Sequence, residues 1–132
     1  MIDHVHLVVA DLGASKKFYT AVFEVLGIPA AKQSPPGSFV FDELFVSTKE
    51  LSATKELTGR VHLGFATRDK SLVEKAYTAG LAAGGKDNGK PGERPYHPGY
   101  FAAFLLDPDG NNIEIVHHGE ATYSADSIAI TF

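Results

Sequence analysis

The stretch His4-Val5-His6-Leu7-Val8-Val9-Ala10-Asp11 is echoed by His62-Leu63-Gly64-Phe65-Ala66-Thr67-Arg68-Asp69. Both copies read histidine, apolar, any residue, apolar, then aspartate at the eighth place. An apolar, β-branched-rich run predicts a strand, and an aspartate behind it is a natural helix N-cap. After Asp11, residues Leu12, Ser15, Phe18, Tyr19, Val22, Phe23 and Leu26 keep helical spacing, and Gly27 supplies the stop. After the second copy, Ser71-Leu72-Val73-Glu74 has the form of a capping box for a helix running to about Ala83, with Gly84-Gly85 behind it. Strand-then-helix twice over is an internal repeat.

Working outward, Ile28 to Gln33 is expected as a short strand and Pro35-Pro36-Gly37 as a turn. Ser38–Phe41 and Leu44–Ser47 are two strand candidates around Asp42-Glu43. The polar run Lys49 to Thr58 reads as the connection between halves. Lys86 to Gly99, rich in Gly, Pro and charge, is expected as a long loop with functional content. Tyr100–Leu106 and Asn112–His117 flank Asp107-Pro108-Asp109-Gly110, which predicts a tight hairpin. The expected fold is α+β: two βαβββ modules forming a curved mixed sheet around one cleft. It is a single domain over 1–132, with module one at about 1–58, module two at about 59–118 and a C-terminal tail at 119–132. Ser127–Phe132 is a candidate last strand.

Composition narrows the function classes. A chain of 132 residues, 44% of them hydrophobic, can bury one ordinary core. A net charge of -4 leaves no basic face for nucleic acid or an anionic membrane. No apolar run reaches the ~18 residues of a membrane span. The first residues lack a basic segment followed by an apolar one, so no secretory signal is expected. The absence of cysteine excludes disulfides, thiolate zinc sites and cysteine nucleophiles, and the cytoplasm is the expected compartment.

Strand parity then picks out a site. Side chains alternate between the two faces of a strand. Val5, Leu7 and Val9 form one apolar face, which sends His4 and His6 to the other. Leu63, Phe65 and Thr67 do the same for His62. Ile113 and Ile115 leave Asn112 and Glu114 on the open side. Two imidazoles and a carboxylate on open sheet faces are a suitable shell for a divalent metal. Phe18, Tyr19, Val22 and Phe23 read as core, and His117-His118 as a solvated strand end.

These residues resemble the vicinal oxygen chelate superfamily, the fold of glyoxalases, bleomycin-resistance proteins and extradiol dioxygenases, over nearly the whole chain. The resemblance rests on Asp3-His4-Val5-His6-Leu7-Val8-Val9-Ala10-Asp11-Leu12 with Ser15 and Phe18-Tyr19, on Val61-His62-Leu63-Gly64-Phe65, and on Asp107-Pro108-Asp109-Gly110-Asn111-Asn112-Ile113-Glu114. The run Ala83 to Gly89 with Tyr96 to Tyr100 is similar to a glyoxalase-like subgroup of unassigned substrate. The resemblance implies His4, His62 and Glu114 as ligands of a divalent ion (zinc, nickel, manganese or iron). Glu43 is the nearest candidate for a fourth ligand of the glyoxalase I kind. The implied reaction is that of a lyase, isomerase or thiol transferase on a small oxygenated substrate. Two alternatives stand beside it: a metal-free binding protein for a small molecule or antibiotic, and an extradiol dioxygenase. His6, His97 and Tyr100 are the candidate catalytic side chains. Phe104, Ala102, Arg94, Tyr96 and Asn112 are expected in the substrate pocket. The superfamily's habit of pairing modules implies a homodimer, with the ligands expected from one chain.

Overall fold

Each helix begins where an aspartate frees its carboxylate for unpaired backbone donors. The computed structural model, which describes residues 2–124, opens with β1 (Val5–Val8) and α1 (Leu12–Leu26). The Asp11 side chain accepts the Ala14 N–H at 2.9 Å, and α1 stops at Gly27 in the left-handed region, φ 73°. Strands β2 (Ser38–Phe41) and β3 (Leu44–Ser47) follow, then a 3-10 turn at Lys49–Leu51. The second module runs β4 (His62–Ala66), α2 (Lys70–Ala82), β5 (Lys86–Glu93), β6 (Phe101–Leu106) and β7 (Asn112–His117). The expected capping box is not the cap of α2: Asp69 accepts both the Ser71 N–H at 2.8 Å and the Ser71 hydroxyl at 2.7 Å. A carboxylate one residue ahead of the helix reaches those donors first.

The class is α+β, with one mixed sheet per module and, among the described residues, two α-helices. The orders are β1-β3-β2 and β4-β7-β6-β5, with β1/β3 and β4/β7 parallel and the other pairs antiparallel. The two sheets therefore repeat one plan. Two expectations change. Ile28 to Gln33 is reduced to a single bridge, Ala30 to Phe41; Pro29 has no N–H to give a ladder. Lys86–Glu93, expected as loop, is an edge strand on β6 with register shifts around Gly89 and Gly92. Pro91 is tolerated because it lies on an edge. The proposed last strand at Ser127–Phe132 lies outside the described residues. None of the helices among the described residues is long and apolar enough to cross a membrane.

One core spans both modules. Leu7, Val9, Phe18, Tyr19, Val22 and Phe23 join Val73, Ala76, Leu105, Ile113 and Ile115 in a single buried cluster. The Phe23 and Phe65 rings meet edge-on at 4.8 Å. Buried Tyr19 donates to Asp107 Oδ2 at 2.6 Å, tying α1 to the β6–β7 turn. Burial and the neighbouring Asp107 charge raise the Tyr19 phenol well above its ordinary range, so it stays a neutral donor. This core also fixes the site. A one-residue slip in β7 would expose Ile113 and Ile115, at about 1.5–3 kcal/mol each. It would also turn Glu114 into the core.

Candidate functional site

Glu114 sits opposite Gly64 in the parallel β4–β7 register, and His62 sits opposite Asn112. With no side chain at Gly64 to intervene, His62 leans diagonally across the ladder. Its Nε2 lies 2.9 Å from Glu114 Oε2. The other oxygen, Oε1, accepts the Tyr100 hydroxyl at 2.5 Å. The Glu114 carboxylate is buried, at 8% side-chain exposure, whereas the His62 side chain is 53% exposed. A buried charge needs such partners. The Tyr100 phenol is pushed up to about 12, first by desolvation and then by its hydrogen bond to Glu114 and that group's charge. At neutral pH Tyr100 is thus a hydroxyl donor that holds Glu114 in one orientation.

Aromatic and histidine rings surround this pair. Tyr96, His97 and His118 each stand edge-on to the Tyr100 ring, at 4.9, 5.1 and 5.1 Å. His97 Nε2 and His118 Nδ1 are 2.9 Å apart. Phe104 lies opposite Glu114 in the β6–β7 register, with its ring 6.0 Å from His62. The Arg94 guanidinium rests 5.3 Å from the Phe104 ring centre. Ala102 is buried opposite Val116. The Asn112 amide oxygen accepts from Asn88 at 3.0 Å.

The first module's histidines stand elsewhere. Exposed His4 pairs with Asp3, Nδ1 to Oδ1 at 2.6 Å. His6 Nε2 lies 2.8 Å from the Ser47 hydroxyl, its ring 4.5 Å from Phe45. Glu43 occupies the β2–β3 turn, where its carbonyl accepts the Val5 N–H at 2.7 Å. Among the described residues, no group of three His, Cys, Asp or Glu side chains is placed to hold one metal ion. Within one chain His62 meets Glu114, and His4 belongs to no such group. Parity fixes a face within each sheet, but no ladder joins β1 to β4 to fix the distance between sheets.

His118, read from sequence as a solvated strand end, packs on Tyr100 instead. The signal was available, because residues 114, 116 and 118 share one face at period two. His117 takes the other role, with its Nδ1 3.1 Å from the Thr67 carbonyl.

Comparison with known proteins agrees with this architecture. The family model for the Glyoxalase/Bleomycin resistance protein/Dioxygenase superfamily matches residues 1–115. A glyoxalase/bleomycin resistance protein from Albidiferax ferrireducens T118 is 29% identical, with TM-score 0.73 over 87% of this chain and 96% of its own. A glyoxalase/bleomycin resistance protein/dioxygenase family enzyme from Burkholderia phytofirmans PsJN is 26% identical, with TM-score 0.70 over 89% and 98%. A lactoylglutathione lyase from Agrobacterium tumefaciens shares the fold at 22% identity, with TM-score 0.63 over 89% and 92%. No curated protein matches the sequence. The family model spans both strand–helix repeats and the hairpin that carries Glu114, so the chain belongs to the glyoxalase/bleomycin resistance protein/dioxygenase superfamily.

Proposed function

We propose that this protein is a glyoxalase-like, metal-dependent enzyme acting on a small oxygenated molecule, and that it works as a homodimer. The observation that carries the reading is the convergence of His62 Nε2 and Glu114 Oε2 at 2.9 Å on an open sheet face. One imidazole and one carboxylate, the latter oriented by Tyr100, suit a divalent ion but make an incomplete shell. His4 of the partner subunit is the third ligand in this reading. Exposed His4, which pairs with Asp3 and belongs to no group of three candidate ligands among the described residues, is open to a neighbouring copy. A two-fold axis would then generate two equal sites.

A bound divalent ion would hold adjacent substrate oxygens and stabilise the oxyanion that develops there. The chain's own residues do the rest. Tyr100 keeps Glu114 aimed into the site. Phe104, Tyr96 and Tyr100 supply apolar walls that exclude water from a bound molecule. His97 Nε2 and His118 Nδ1 lie within hydrogen-bond distance, 2.9 Å, beside Tyr100 and hold its ring from that side.

The test is elemental analysis of untagged protein, with zinc, nickel, manganese and iron(II) titrations of the wild type and of His62→Ala. Near-stoichiometric metal in the wild type and none in the variant is the expected result. A wild-type protein that takes up none of the four ions would overturn this reading in favour of metal-free ligand binding.

A further inference from the structure

Strand β5 is broken twice, and both breaks fall at a glycine beside the same side chain. Its pairing with β6 shifts between Asp87 and Gly89 and again between Gly89 and Gly92. A Cβ at Gly92 would stand 3.1 Å from Arg94 Nη1. A Cβ at Gly89 would stand 2.9 Å from the Phe104 ring and 3.4 Å from Arg94 Nη2. The absent side chains make a niche. In it the guanidinium lies over Phe104 and donates to the Lys90 carbonyl at 2.7 Å and the Glu93 carbonyl at 3.2 Å.

The niche holds a charge without a counter-charge. Arg94 is half-buried, and its acceptors are backbone carbonyls, with no carboxylate in ion-pair range among the described residues. Two carbonyls and a ring fix the plane of the fork but use only part of its five donors. The same ring, Phe104, also adjoins His62, with ring centres 6.0 Å apart. A fixed, unneutralised guanidinium next to a candidate metal pair is suited to a planar or tetrahedral oxyanion.

We infer that Arg94 binds an anionic group of the substrate, so that the substrate class is a small organic anion bearing a carboxylate or phosphonate. This rests on the proposed function in placing the reactive end of the molecule at His62 and Glu114. Arg94 reads the charged end, Phe104 spans the distance, and the glycines at the bulges of β5 leave the guanidinium its room. A neutral diketone or catechol would leave Arg94 unpaired and is disfavoured as a substrate.

The probes are acetate and methylphosphonate, with acetamide as the neutral match for acetate, titrated into metal-free protein. The readouts are the Arg94 Nε–H resonance and ligand-observed affinity. Expected are a saturable shift with an anion and none with acetamide, and binding weaker by at least about tenfold in Arg94→Gln. Gly92→Ala, which crowds the guanidinium but retains it, should also weaken anion binding, with thermal melts confirming the fold of both variants. The tighter anion identifies carboxylate or phosphonate. No saturable shift, equal binding of acetamide, or unchanged anion affinity in both variants would overturn the inference. Metal titrations on the same samples keep the two readings apart. Anion binding without metal uptake defeats only the metal reading, and metal uptake without an Arg94 response defeats only this one.

Discussion

His62 meets Glu114 on the diagonal of a parallel strand pair, two residues out of register, across the gap left by Gly64. The ladder positions both backbones, so this half of the proposed metal shell would be formed before any ion arrives. Removing either side chain should therefore abolish metal binding and spare the fold. His62→Ala, Glu114→Gln and His4→Ala should each bring bound metal near zero by elemental analysis, with melting curves little changed. The distinctive test is mixing. If His4 comes from the partner subunit, combining His4→Ala with His62→Ala should restore roughly a quarter of wild-type metal content, since random pairing makes half the dimers mixed and each mixed dimer has one intact site. No recovery in confirmed mixed dimers would defeat the shared site.

In the proposed site Tyr100 would act on the metal through Glu114, as a positioning residue. Tyr100→Phe retains the ring that packs against Tyr96, His97 and His118 and deletes only the donor to Oε1. Loss of such a partner commonly weakens metal binding by about 10–100-fold. Calorimetric titration with zinc or manganese should show that loss with unchanged stoichiometry. Wild-type affinity in Tyr100→Phe would mean that the contact merely packs the loop.

How far this site was legible in sequence differs from residue to residue. Glu114 follows from alternation, because Ile113 and Ile115 must point to the core and the residue between them must not, whereas Phe104 follows from the family resemblance. Asp107 reads as turn chemistry, and it does accept the Asp109 and Asn111 N–H groups; its further bond to Tyr19 crosses the molecule and has no local signature. Strand β5 was illegible because Lys-Asp-Asn-Gly-Lys-Pro-Gly-Glu has no apolar alternation. It is a strand because β6 offers it an edge, a tertiary fact. The position of His4 relative to His62 was illegible for the same reason, since no ladder links their sheets.

The close approach of the two helices predicts an unusual sign for one substitution. Gly80 lies inside α2, where alanine ordinarily stabilises by about 0.5–1 kcal/mol. Here a Cβ would stand 2.4 Å from Leu105 Cδ1, 3.1 Å from Val22 Cγ2 and 3.3 Å from Phe18 Cε2. Overpacking of this kind costs about 1–3 kcal/mol, which outweighs the helix gain. Gly80→Ala should lower the urea midpoint. Gly59→Ala, where a new methyl meets nothing within 4 Å, should not. Equal midpoints for wild type and Gly80→Ala would show that the helices can part freely.

Acid should weaken the cap of α2. The Asp69 carboxyl is held below its ordinary value, chiefly by the Ser71 hydroxyl and then by the Ser71 backbone N–H, at the positive end of α2. A carboxylate depressed in the folded state adds stability above its unfolded value of about 3.9 and loses it as pH falls through the lower folded value. Other carboxyls, Asp87 among them, are depressed too, so the acid slope of the whole protein does not isolate this cap. Asp69→Asn does, because asparagine still caps a helix without the charge. Melting temperatures of wild type and Asp69→Asn should differ most near neutrality and converge as pH falls below about 4. Asp69→Ala, which removes cap and charge together, should stay below both at neutral pH. A wild-type advantage over Asp69→Asn that is the same at pH about 3 as at pH about 7 would show that the charge of Asp69 plays no part in holding α2.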